Sequence, residues 1–235
     1  MLNKRFVHVV FGCLVGTVLS ACGTSRNDGE KGLASFQVRN CGGVLSDLQG
    51  CPLSAKFASG GKMDVTATRK SDESLLMLRT DLPAVLKIEE TTVRSYVLTG
   101  LHVGEAKLIA HNEAGEVDRV SVFVEEVQEI AYNEISSAAG TFKLQPSGDL
   151  DGTLVLRDGL NSFNLYFAQL DGSREKMLGR EAFSFVSDPG LTFQAGQEKP
   201  SSLEFHYLRP KAGTYTLQVN AKAGPGRFKL QITAN

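Results

Sequence analysis

The sequence predicts an all-β protein: two tandem β-sandwiches behind a cleaved export segment. Three observations predict it. Short alternations of apolar and polar residues recur about every ten residues, separated by Gly, Pro, Asn and Asp, which is the rhythm of stacked antiparallel sheets. The composition holds 24 glycines and no tryptophan, with 42% hydrophobic residues, as turn-rich globular β-proteins do. The chain has 235 residues, enough for two domains of ordinary size once an export segment is removed.

The export segment comes first. Lys4 and Arg5 precede an apolar run from Phe6 to Val18, and Leu19-Ser20-Ala21-Cys22 closes it with small residues and a cysteine. Basic, apolar and small regions in that order are the pattern of a secretory signal. An uncut transmembrane helix is the competing reading. The run from Phe6 to Ala21 is 16 residues, short of the roughly 20 that span a bilayer, and it contains Gly12 and Gly16. With cysteine directly after the cut, the segment resembles a bacterial lipoprotein signal with its lipobox. That resemblance implies removal of residues 1–21, a diacylglycerol thioether on Cys22 and acylation of the new amino terminus. Gly23 follows the lipidated cysteine. In many Gram-negative envelopes an aspartate there retains a lipoprotein in the inner membrane, so the resemblance implies the outer membrane.

Removing residues 1–21 leaves 214 residues with 23 Lys and Arg against 26 Asp and Glu, a formal charge near −3. This balance offers neither a nucleic-acid footprint nor a polybasic lipid patch. Cys13 leaves with the signal and Cys22 takes the lipid, so Cys41 and Cys51 remain. Outside the cytoplasm such a pair is ordinarily oxidised. A Cys41–Cys51 disulfide would close a loop of about 11 residues and stabilise by roughly 3 kcal/mol. Zinc is the alternative, but residues 42–50 contain no histidine and no second thiol pair is evident.

Residues 22–33 are small, polar and charged, and are expected to form a lipidated flexible tether. The first domain is expected over residues 34–127. Phe36 and Val38 alternate with polar neighbours in Ser35 to Arg39, a short strand. After the cysteine loop, Met63, Val65 and Ala67 share a face of Lys62 to Thr68. The charged Arg69 to Ser74 turn leads to a further run, Leu75 to Arg79. Asn112-Glu113-Ala114-Gly115-Glu116 marks a hairpin.

Asp81-Leu82-Pro83-Ala84-Val85-Leu86-Lys87-Ile88, then Leu98-Thr99-Gly100-Leu101-His102-Val103-Gly104-Glu105-Ala106-Lys107-Leu108-Ile109-Ala110, then Arg119-Val120-Ser121-Val122-Phe123-Val124 resembles the bacterial Ig-like domain of group 2. The likeness runs from Phe57 to Val124, and its most specific part is Gly100 to Leu108. Gly100 is expected to let the chain turn, and Gly104 to adopt a backbone that no β-branched residue tolerates. The cysteine loop is an addition to that family's pattern. The resemblance implies an Ig-like sandwich that serves as an envelope or cell-surface interaction module.

Glu125 to Glu129 is expected to end this domain and begin a linker, and a second β-sandwich is expected over residues 128–235. Its strands are expected at Thr141 to Gln145, Thr153 to Arg157, Phe163 to Gln169, Phe183 to Val186, Leu191 to Gln194, Leu203 to Leu208, Thr214 to Asn220 and Arg227 to Thr233. Turns fall at Asp158-Gly159 and Asp171-Gly172, and Ser173 to Ala182 reads as a loop or a single helical turn. Tyr215, Leu217 and Val219 are expected to pack with Phe228, Leu230 and Ile232. Leu203 to Tyr207, Ala212-Gly213-Thr214-Tyr215 and Arg227 to Ile232 together resemble the end of a bacterial pre-peptidase carboxy-terminal domain, over about 35 residues.

No catalytic residue emerges. His102, His111 and His206 stand apart from one another and from other ligand types, so no metal or cofactor is expected. Gly-x-Ser-x-Gly, His-Glu-x-x-His and phosphate-loop patterns are absent. Ser147-Gly148-Asp149-Leu150-Asp151-Gly152 begins like a calcium loop but lacks the distant glutamate, so a polar turn is the simpler reading. Glu89-Glu90 and Glu125-Glu126 occupy opposite faces of a strand, unsuited to acid–base work on one bond. Tyr132, Tyr166 and Tyr207 are candidates for a sugar-binding face. The expected function is therefore a non-catalytic, membrane-anchored module that binds an envelope protein. The alternative is a module for peptidoglycan or exopolysaccharide.

Overall fold

The computed structural model describes residues 27–39, 53, 55–135, 140–143, 149–157, 163–195 and 203–235. The expected signal segment, Cys22, Cys41, Cys51, Ser147-Gly148 and the expected turn at Asp158-Gly159 lie outside the described residues. Among those described there are strands and turns and no helix, so the protein is all-β as its sequence predicts.

Among the described residues, nine strands lie before residue 126: β1 (Asn27–Asp28), β2 (Ala34–Arg39), β3 (Phe57–Ala58), β4 (Lys62–Arg69), β5 (Met77–Thr80), β6 (Leu86–Thr92), β7 (Ser95–Gly100), β8 (Gly104–Asn112) and β9 (Gly115–Glu125). They form one sheet in the order β1-β2-β4-β7-β6 and another in the order β3-β9-β8-β5. The alternation that makes these segments strands also makes their core. Phe36, Met63, Val65, Leu98, Ala106, Leu108, Val122 and Val124 interdigitate between the two sheets. Each buried large apolar side chain contributes about 1.5–3 kcal/mol. Gly104 has φ +153, and a Cβ there would stand 3.0 Å from Val85 Cγ2. Gly100 departs from expectation. It ends β7 in extended backbone, and its need for glycine is contact, because a Cβ would lie 2.9 Å from the Ala58 carbonyl oxygen.

Among the described residues, nine more strands follow: β10 (Glu129–Ile135), β11 (Gly140–Lys143), β12 (Gly152–Leu156), β13 (Phe163–Leu170), β14 (Phe183–Ser187), β15 (Phe193–Ala195), β16 (Leu203–Leu208), β17 (Gly213–Ala221) and β18 (Arg227–Ala234). Their sheets run β10-β13-β16-β15 and β11-β12-β18-β17-β14. Tyr215, Leu217 and Val219 are cross-strand partners of Ile232, Leu230 and Phe228 on one face of the second of these sheets, all buried. The Tyr215 hydroxyl donates to the Lys211 carbonyl at 2.9 Å, a corner that fixes the start of β17.

Three further sequence expectations are corrected. The expected tether is part of the first sandwich from Asn27 onward, because β1 pairs with β2 and its chain crosses a buried carboxylate described below. The linker is short and packed. Only residues 126–128 separate β9 from β10, and Val127 is buried in the second core. Its N–H donates to the Ala223 carbonyl and its carbonyl accepts from Gly226. Finally, Ser173 to Ala182 is neither a free loop nor a helical turn. From Lys176 it is extended, and it pairs with the first sandwich.

Candidate functional site

Two buried aspartates organise the molecule, and each sits where one piece of chain is fastened to another. Asp118 lies on β9 in phase with Val120, Val122 and Val124, so strand alternation turns it inward. It is 0% exposed. Its carboxylate accepts the backbone N–H of Lys31 at 2.8 Å, Leu33 at 2.7 Å, Ala34 at 2.9 Å and Arg119 at 2.9 Å. Burial alone would push this carboxyl up; the four main-chain donors outweigh it and hold the group below the usual carboxylate range. Gly29 lies directly over it, where a Cβ would fall 2.2 Å from Asp118 Cγ. The Glu30 N–H also donates to the Arg119 carbonyl.

The second aspartate stands at the junction of the sandwiches. There, Lys56–Lys62 of the first runs beside Met177–Arg180 of the second. Leu178 N–H donates to the Lys56 carbonyl and Ala58 N–H to the Leu178 carbonyl, while Lys62 and Arg180 exchange both their backbone bonds at 2.8 and 2.7 Å. Adjacent residues in these segments enter different cores. Phe57 and Leu178 pack in the first, and Ala58 and Met177 in the second. Two glycines let the backbones meet: a Cβ on Gly179 would lie 2.9 Å from Phe57 Cε2, and one on Gly61 would lie 3.2 Å from Gly179 Cα.

Charge completes the clasp. Asp171, 1% exposed, accepts through Oδ1 from Ser173 N–H, Ser173 Oγ and Glu175 N–H, which shapes the turn after β13. Its Oδ2 meets the Lys56 ammonium at 2.7 Å, and Lys56 also reaches Glu125 at 3.0 Å. The Lys56 ammonium, ahead of the turn donors, holds the Asp171 carboxyl far below its usual range. Arg180 meets Asp64 at 2.6 Å, and Lys62 meets Glu181 at 2.8 Å. Buried Gln169 donates its amide to the carbonyls of Leu178 and Gly179.

The residues singled out in the sequence are distributed rather than gathered. His102 lies on the exposed turn between β7 and β8 and His111 near the end of β8, while His206 pairs with Leu165 and Ala195 in β16. Asp149 and Asp151 both engage Lys229: the first pairs with its ammonium, and the second accepts its backbone N–H at 2.7 Å. They pin β12 to β18. Glu90 caps the Arg94 N–H at 2.9 Å, and Glu89 pairs with Lys87. Tyr132 packs against the second core, whereas Tyr166 packs with Ala131, Ala168 and Leu170 in a separate small cluster. Those two rings do not form one sugar-binding face. Among the described residues, no group of three or more His, Cys, Asp or Glu is placed to hold a metal ion.

A shallow cleft of about 680 Å³ opens at the end of the first sandwich remote from the junction, lined by Lys31, Leu33, Arg69, Lys70, Asn112 and Glu116 among others. The sequence reads the edges of this cleft as a tether, a charged turn and a hairpin; it does not point to Asp118, and it marks Asp171 only as part of a turn. The readable signal for Asp118 is an acid at an inward position of an alternating valine strand.

No family model matches the chain, and no curated protein does. Among solved structures it is similar to domains 5 and 6 of the S-layer protein SbsC, at 13% identity over 77% of this chain and 93% of that one, with a TM-score of 0.30. It is also similar to a glycosyl hydrolase family 2 member from Bacteroides cellulosilyticus, at 14% identity and a TM-score of 0.32, covering 85% of this chain but 28% of that one. A pair of tandem Ig domains of titin matches 77% of this chain and 90% of its own length, at 14% identity and a TM-score of 0.27. At these TM-scores the likenesses carry no argument about activity.

Proposed function

We propose that this chain is a bacterial envelope lipoprotein, acylated at Cys22, directed to the outer membrane and serving as a non-catalytic module that binds another envelope protein. The observation that carries this reading is the amino-terminal order of Lys4-Arg5, the apolar run Phe6 to Val18 and Leu19-Ser20-Ala21-Cys22. In the same reading the first sandwich is a bacterial Ig-like domain of group 2, and Cys41 and Cys51 form a disulfide.

The use made of the buried charges supports a non-catalytic role. Asp118 is surrounded by four main-chain donors, and Asp171 by three donors and a lysine. A carboxylate so occupied has no free lone pair or proton for acid–base chemistry. The clasp supports a mechanical role, because it joins two sandwiches into one body that a lipid can hold and a partner can grip. Loops and strand edges are the surfaces left for that grip.

The test is crosslinking and recovery of the full acylated protein from its own envelope, with Cys22→Ala as control. One dominant protein partner, lost in the control, is the expected result. Recovery of polysaccharide with no protein partner would move the reading to carbohydrate binding. Mass measurement of the mature protein checks two further parts: the acyl groups on Cys22, and a two-proton gain at Cys41 and Cys51 on reduction.

A further inference from the structure

We propose that the amino-terminal hairpin is a mechanical stop, in which Asp118 arrests a pull on the chain ahead of Asn27 and passes it into the β8–β9 pair. The source of the pull rests on acylation of Cys22, whereas the stop rests on the fold alone. A lipid held in a bilayer and a partner gripping the sandwiches put the chain between them under tension.

Direction comes first. β1 is antiparallel to β2 and β2 to β4, so β1 runs the same way as β4. β4 starts in the junction, where Lys62 pairs with Arg180. The chain ahead of Asn27 therefore points towards the junction, and the turn from Gly29 to Ala34 lies at the opposite end. A pull on that chain acts along β1 and slides it against β2. The β1–β2 ladder is too short to resist, since only Asn27 and Asp28 pair in it. The Asp28–Lys70 ion pair adds little, because the aspartate is 54% exposed.

Behind β1 lies the stop. The turn folds around a carboxylate that comes from the facing sheet. Asp118 Oδ1 accepts from Lys31 N–H, and Oδ2 accepts from Leu33 and Ala34 N–H. Glu30 N–H donates to the Arg119 carbonyl at 2.8 Å, and Gly29 N–H closes the turn on the Ala34 carbonyl at 3.0 Å. Drawing the turn towards the junction breaks these bonds together. Asp118 is buried, so water does not stand ready to replace them.

From Asp118 the pull enters β9, which pairs with β8 from Gly115 opposite Asn112 to Val124 opposite Gly104. The bonds of an antiparallel ladder lie across the strands, so a pull along β9 loads them side by side rather than one at a time. β9 then leads through residues 126–128 into the second sandwich, where Val127 is held by Ala223 and Gly226. Tension from the amino terminus reaches both sandwiches without first stripping β2 from its sheet.

The experiment pulls the acyl-free chain between optical-trap handles at residue 22 and Asn235. Peeling Asn27 to Ala34 lengthens the chain by at most about 29 Å, far less than loss of either sandwich. The parent should show no such step below the force that ruptures a sandwich. In Asp118→Asn the step should appear at lower force, or the same length should already be missing from the total unfolding length. Gly224→Ala, strained at the junction, should rupture at lower force without that step. The short step in the parent ahead of sandwich rupture would overturn the stop. So would Asp118→Asn with no step and an unchanged length. A mass showing Cys22 without acyl groups would overturn the lipid as source of the pull and leave the stop in place.

Discussion

The two aspartate locks solve similar problems with different partners. Asp118 fastens the amino-terminal stretch using main-chain donors alone, and these are present whatever side chains Lys31, Leu33 and Ala34 carry. Asp171 fastens one sandwich to the other through a lysine whose side chain is 37% exposed. The first arrangement is indifferent to its partners' identity and sheltered from salt. The second depends on one residue, and its cation is within reach of solvent ions. The comparison teaches that the attachment of the amino-terminal stretch is built to hold under side-chain change, whereas the charged part of the junction can be weakened by a single substitution.

The largest expected effect comes from breaking the first lock. Asp118→Asn keeps the shape but turns an amide N–H₂ towards backbone donors, leaving buried groups unpaired. The cost should be at least about 4 kcal/mol in urea unfolding, with new protease sensitivity around Lys31. Next come the glycines at the junction. Gly224 has φ +100, and a Cβ there would lie 2.5 Å from the Val127 carbonyl oxygen. Gly224→Ala should cost about 3 kcal/mol. Gly32 offers the contrast: φ is +69, but nothing lies within 4 Å of the place a Cβ would take, so Gly32→Ala should cost only about 1 kcal/mol of backbone strain.

Acid separates the locks from the rest of the fold. Both carboxyls lie below their unfolded range, so each contributes stability that is complete above it and lost as pH falls through the folded values. The urea midpoint should therefore decline as pH drops below about 4, and the decline should be shallower in Asp118→Asn. The smallest effect is expected at Asp149, whose pairing with Lys229 is exposed. Asp149→Asn should leave the midpoint unchanged, which would set the surface pairs apart from the buried ones.

How much of this was legible depended on which periodicity a segment obeys. β17 and β18 alternate cleanly over one core, and both their positions and their inward residues could be read directly. The stretch from Asn27 to Leu33 could not, because backbone N–H groups hold it and leave no apolar pattern in the side chains. Residues 126–128 read as a linker because Glu125, Glu126 and Glu129 are conspicuous, while the deciding residue is the single valine between them. The junction was hidden for a different reason. Phe57-Ala58 and Met177-Leu178 bury neighbouring residues in opposite cores, which cancels the alternation that marks a one-sided strand. The site-level reading shared that limit. Neither lock could be read whole, since the partners that make each one a fastening, Lys56 for Asp171 and Lys31 to Ala34 for Asp118, lie far away in the chain.

The central claim is that the clasp makes the two sandwiches one body, and native-state hydrogen exchange tests it most directly. In the parent protein, amides of β7–β8 and of β17–β18 should open with the same free energy and the same denaturant dependence. In Lys56→Met, where Asp171 loses its cation, the two sets should separate. Different opening energies in the parent protein, or identical ones in the variant, would contradict the claim.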